Sequence, residues 1–142
     1  MKAIAVGKSL AISKKHSVEI CSFLRGRTSE KGKMLLERGL TLKTAVPIKK
    51  FNRHVAHKPG KMAAGRYPIN ATEAILNLLK TAEANAEGKG LSQPLIIKEA
   101  IANQGSRGWH PGRQRRRKTK STHIKITLES VEQKAPKTKE TK

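Results

Sequence analysis

The densest chemistry in the chain lies between Gly105 and Ser121, where Arg107, Arg113, Arg115, Arg116, Arg117, Lys118 and Lys120 occur with no carboxylate among them. Guanidinium groups are planar and permanently charged, so they fork onto phosphate oxygens and stack on exposed bases. Trp109, the only tryptophan, stands in the same stretch between Gly108 and His110. Base stacking on an aromatic ring is worth about 1–3 kcal/mol per base, and so polar a setting suits that role. The rival explanation for Trp109 is packing against its own segment. For the arginines it is a solvated charge run or a nuclear targeting signal. RNA contact is the stronger reading, because the run lies between two strand-like segments and not on a free end.

A second acid-free stretch covers 47–66, with Lys49, Lys50, Arg53, His54, His57, Lys58, Lys61 and Arg66 set among prolines and glycines. The spacing of His54 and His57 is open to a metal. Zinc, however, usually takes four ligands from Cys, His or carboxylate, and this stretch has no Cys, Asp or Glu. Phosphate or base contact is the better fit, and no cofactor or metal is expected. With Lys14 and Lys15 at the start of the first helix, these cations (Lys61 apart) and Trp109 make up the candidate RNA-binding set.

Catalysis has little to stand on. A nuclease needs paired carboxylates to hold metals, or a His pair with a placed cation. The chain has no Asp, and its glutamates fall mostly on helices or near the end, with Glu73 and Glu99 lacking a visible carboxylate partner. An RNA-modifying enzyme relying on Glu99 or His57 is therefore a minor rival.

Thirty-one Lys and Arg against 10 acids give a net charge of +21 over 142 residues. Such an excess repels itself in a compact state and calls for a polyanion. Nucleic acid is the natural one, since neutralised phosphates release counterions. A membrane surface is disfavoured: no apolar run nears 18 residues and no helix is basic on one face and apolar on the other. The single Cys21 fits a reducing compartment and a core position, and the N-terminal residues do not read as a cleaved leader. A cytoplasmic protein is expected.

The elements that must position these cations follow from periodicity. Ile4, Val6, Leu10 and Ile12 recur at even positions and predict a half-buried strand over 2–12. Val18, Cys21 and Leu24 predict a helix over 14–25 ending at Gly26, and Leu35, Leu36, Leu40 and Leu42 predict a second from about Ser29 to about Lys43. Gly32 and Gly39 would each cost that helix about 1 kcal/mol relative to Ala. Residues 47–66 read as a basic loop too long to order itself, so a partner is expected to fix it. Ala71, Ala74, Ile75, Leu78, Leu79, Ala82 and Ala86 form a continuous stripe on a third helix that opens at Pro68. Leu95, Ile97 and Ile101, then Ile124, Ile126 and Leu128, predict two antiparallel strands. Carried outward over 95–128, they would form an arm reaching at most roughly 55 Å at about 3.3 Å per residue. The domain reading is a globular body over 1–94, a basic β-hairpin arm over 95–128 and a disordered basic tail over 129–142.

Five stretches carry a family resemblance: AISKKHSVEICSFLRG at 11–26, VPIKKFNRHVAHKPG at 46–60, AGRYPINATEAILNLLKTAEANAEGKGL at 64–91, IIKEAIANQG at 96–105 and STHIKITLE at 121–129. Together the chain resembles the large-subunit ribosomal protein L-twenty-two family in its archaeal and eukaryotic form, over all but the tail. That resemblance implies an α+β fold, a three-stranded antiparallel sheet packed against three helices with a long β-hairpin extension. It also implies a structural role in the large ribosomal subunit. There the chain would bind large-subunit ribosomal RNA and support assembly, and the hairpin would line the polypeptide exit tunnel near large-subunit protein four and the nascent chain. No homo-oligomer and no membrane partner are implied. Residues 107–117 match the family's tip and returning arm loosely and are shorter by a few positions. The rival reading is a DNA-compacting or architectural protein. That role normally shows a dimer surface or a groove-reading helix, whereas the clearest helix here is near neutral.

Overall fold

The computed structural model describes residues 1–60 and 62–130. In chain order come strand β1 (Lys2–Leu10), helices α1 (Lys14–Leu24) and α2 (Ser29–Leu40), short strands β2 (Val46–Pro47) and β3 (Gly65–Arg66), helix α3 (Ile69–Gly88), strand β4 (Leu95–Gln104), a 3-10 turn at Gly112–Gln114 and strand β5 (Thr122–Ser130). The expected α+β class holds. An antiparallel sheet of order β1-β5-β4 packs one face against the helices.

Ile124, Ile126 and Leu128, alternating along the central strand, are fully buried with Ile97 and Ala100 of β4 against Ile20, Leu24, Leu36, Ile75 and Leu79 of the helices. The stripe on α3 behaves as its 3.6-residue period requires: Ala71, Ile75, Leu79, Ala82 and Ala86 are buried, and Ala74 and Leu78 pack at its margin. Cys21 is buried on α1, where loss of solvation pushes its thiol up to about 12 despite Arg25 nearby.

β1 has the opposite phase to the one its larger residues suggest. Ala3 and Ala5 face the core, whereas Ile4 and Val6 are 42% and 51% exposed on the outer face opposite Thr127 and Lys125. The cause is α3, which lies directly against β1 and leaves room beneath it only for small side chains. α2 stops at Leu40, earlier than its leucines imply. Leu42 takes a left-handed backbone (φ 61) and is exposed, while the N–H groups of Leu42, Lys43 and Thr44 donate back to Gly39 and Arg38. The helical cost of Gly32 has a packing counterpart, since a Cβ there would lie 2.9 Å from Ile97 Cδ1. A side chain at this position would require the Ile97 terminus to shift.

The strands flanking the arginine run belong to the body. β1 pairs with β5 from Lys2 opposite Glu129 to Leu10 opposite Thr122, and β4 pairs with β5 as far as Gln104. Only 105–121 leaves the sheet, and half of that span reaches at most roughly 28 Å when extended. This is about half the reach that counting from residue 95 suggests. Glu129 and Ser130, expected in the tail, complete β5. The rest of that expected tail, 131–142, lies outside the described residues.

Candidate nucleic-acid interface

The basic loop is held by its own chain. β2 and β3 pair Val46 with Arg66 and Pro47 with Gly65, closing its neck, and the N–H of Ile48 donates to the carbonyl of Ala64. Beyond the neck, Glu19 of α1, only 3% exposed, accepts from three successive backbone N–H groups: Lys49 at 3.1 Å, Lys50 at 2.7 Å and Phe51 at 3.0 Å. A buried carboxylate is costly unless its lone pairs are filled, and here backbone donors fill them without a cation. The charged ends of Lys49 and Lys50 stay outside. The expectation that a partner must order this segment is therefore corrected for 47–53.

Three clefts meet around the start of α1. The first, of about 670 Å³, lies between the loop and Tyr67, with His16, His54, Lys58 and Arg66 in its walls. The second, of about 230 Å³, shares His16 and Pro68 with the first and is bounded by the first residues of α1 and α3 and by Lys120. The third, of about 320 Å³, shares Ile12, Ser13 and Lys120 with the second and adds Lys14, Lys15, Phe51 and Arg107. They make one continuous groove from the loop, past two helix starts, to the base of the arm.

The groove's electrostatics are one-sided. Among the described residues no acid lines any of the three clefts. Neither α1 nor α3 has an acid in its first turn or a side chain capping its start, so both positive dipole ends open into the middle cleft. Burial, with Arg66 and Lys120 nearby, holds the His16 imidazole below its usual pKa. Among the described residues every salt bridge lies elsewhere: Lys2 and Lys98 to Glu129, Lys125 to Glu99, and Lys33 to Glu83. The hydroxyl of Ser29 also donates to Glu83.

The arm beyond Gln104 shapes itself. Arg107 Nε donates to the Thr119 carbonyl at 2.9 Å and its Nη2 to that of Lys118 at 3.3 Å. The N–H of Thr119 donates to Gly108 O and that of His110 to Arg117 O, while Trp109 bridges Lys118 across the hairpin. The Lys118 ammonium sits 4.3 Å from the centre of the Trp109 ring, whose residue remains 60% exposed. Arg113, Arg115, Arg116 and Arg117 are all exposed at the tip, and Arg115 Nε donates to the Gly112 carbonyl.

The candidate residues thus divide. Lys14, Lys15, His54, Lys58, Arg66, Arg107 and Lys120 line the groove; Lys49, Lys50, Arg53 and His57 stand exposed on the loop; Trp109, Arg113, Arg115, Arg116, Arg117 and Lys118 crown the arm. Sequence reasoning overlooked His16, Phe51 and Tyr67 in the groove walls. It also overlooked Glu19, which looks like any helix-surface acid when only its neighbours in sequence are considered. Among the described residues no three His, Cys, Asp or Glu side chains cluster in a way that could hold a metal ion. No described helix is long and apolar enough to cross a membrane.

A family model for ribosomal protein L22p/L17e matches residues 5–129. The chain is 44% identical to the large ribosomal subunit protein uL22 of Methanosphaera stadtmanae, the match covering 89% of this chain and 87% of that protein. It is 41% identical to the same protein of Methanoculleus marisnigri, covering 91% and 90%. With that of Archaeoglobus fulgidus it shares 44% identity over 72% of this chain and 68% of the relative.

Proposed function

Because the chain belongs to the ribosomal protein L22p/L17e family, structural components of the ribosome and not enzymes, we propose that it binds large-subunit ribosomal RNA through the acid-free groove and the basic arm. It is a structural protein of the large ribosomal subunit, as its archaeal relatives are named. The observation that carries the RNA reading is the groove itself. Cations from α1, the basic loop, β3 and the arm base line one continuous depression to which no described residue contributes a carboxylate. Charges drawn from four separate segments repel one another, so the free chain holds a site whose repulsion a phosphate backbone relieves.

The arm extends this reading. Its tip presents Arg113, Arg115, Arg116 and Arg117 to solvent on a self-supporting hairpin. A projection of that kind suits a wall between converging RNA segments, and we propose that it lines the polypeptide exit tunnel, beside large-subunit protein four and the passing nascent chain. Positioned cations would then support assembly, and RNA binding would add stability to the body by mass action.

The test is fractionation of a lysate on a high-salt sucrose gradient. Co-migration with the large-subunit fraction is expected; absence from it would overturn the ribosomal reading. Nuclease digestion before the gradient should release the chain. A chain instead retained on DNA would favour the architectural alternative.

A further inference from the structure

We infer that the groove takes an unpaired RNA strand and not the outer surface of a duplex, an inference that rests on the RNA reading above and names the form of RNA at that site. In a double helix the bases are stacked inward and the backbone is convex, so a depression between chain segments reaches only one edge of it. A single strand can enter the depression and turn its bases to the walls.

The walls are built for that. At one end of the groove Tyr67 is half-buried with the Lys58 ammonium 5.9 Å from its ring centre. At the other, half-buried Phe51 has the Lys50 ammonium 5.8 Å away. Both separations are near the outer limit of a cation–π contact, so the ring faces are held loosely and a base can displace the lysine toward its own phosphate. Stacking rings joined by a cationic track is the recurring solution for unpaired nucleic acid. Between the rings, His16, Lys120 and the two uncapped helix starts supply donors for the backbone that links the stacked bases. The arm tip differs, since its arginines are exposed on a projection and meet the phosphates of either form.

The experiment uses the full chain with two labelled probes, an oligouridine strand and an RNA duplex of matched phosphate number, titrated at several salt concentrations. Replacing Phe51 and Tyr67 together with Leu keeps apolar bulk in the walls but removes both stacking faces. Strand affinity should fall at least about tenfold while duplex affinity holds, the change expected from losing one to two stacked bases. Lys14→Ser with Lys120→Ser, both at exposed positions, should likewise weaken the strand more than the duplex. Arg115, Arg116 and Arg117 replaced by Ala should weaken both probes alike. Equal losses for strand and duplex in the groove variants would overturn the inference and leave RNA binding standing. Absence of salt-dependent binding to either probe would overturn the RNA reading itself.

Discussion

The basic loop and the arm are both acid-free, cationic and free of regular structure over most of their length, yet they are stabilised in opposite ways. The loop is tied into the folding unit: its N–H groups end on the buried carboxylate of Glu19, in a helix whose other side is core. The arm is tied to itself, through exposed contacts among Arg107, Gly108, Trp109, Lys118 and Thr119. Two surfaces of similar charge can therefore differ in what damages them. Loss of body packing should disorder the loop, while the arm should be indifferent to the body and sensitive only to its own residues.

The contrast breaks most visibly at Glu19. Replacing it with Ala leaves three partly buried N–H groups without their acceptor, and should lower stability by about 3 kcal/mol, with Glu19→Gln costing about half as much. A thermal melt should register the Ala variant as a drop of roughly 10 °C. Limited proteolysis should cut first within 49–53, and a variant melting like the parent would dissolve the distinction between the two regions. Replacing Arg115, Arg116 and Arg117 with Ala is the reciprocal case. The melt should not move, while the slope of log affinity for RNA against log salt should shrink by up to about one per lost phosphate contact. A fallen melting temperature would tie the tip to the body after all.

Smaller effects sharpen the comparison. Trp109→Leu should leave global stability within about 1 kcal/mol, since it removes an exposed cation–π contact, and tryptophan fluorescence of the parent should respond to RNA but not to mild denaturant. At His16 the expected effect is smallest and depends on pH. Because its folded pKa is lowered beneath the ordinary 6.5, the unfolded chain binds this proton more readily. Its contribution to stability is intact above about pH 6.5 and is lost as pH falls below it. His16→Asn should flatten that part of a plot of melting temperature against pH, and bound RNA should narrow the difference. Cys21 offers a check on the body as a whole: with its thiol pushed up to about 12, alkylation should proceed only as fast as the core opens.

The sequence made these regions unequally legible. α3 was readable because Ala71, Ile75, Leu79, Ala82 and Ala86 repeat at one period and the same period decides their burial. β1 was not, because Ala3, Ile4, Ala5 and Val6 are all apolar and either phase alternates; the choice belongs to α3, which is 60 or more residues away in the chain. The extent of the arm was overread for a similar reason, since apolar alternation in β4 and β5 cannot reveal that β1 lies alongside β5. The candidate cations were recognisable by charge alone. Their division between groove, loop and tip was not, because His16, the loop residues Lys58 and Arg66, and Lys120 come together through two long-range connections that local spacing does not record.

β1 closes one side of the sheet, and a bare strand there would be a template on which a second chain could align. Two of its carbonyls are already taken: Asn85 Nδ2, in the last turns of α3, donates to Ile4 O at 3.1 Å, and Lys89 Nζ, just past the helix, donates to Lys2 O at 3.2 Å. A protein with exposed Ile4 and Val6 on that strand must survive the interval between synthesis and incorporation at whatever concentration the cell makes it. The Asn85 and Lys89 side chains act as a guard for that interval, discouraging the chain from zipping onto copies of itself.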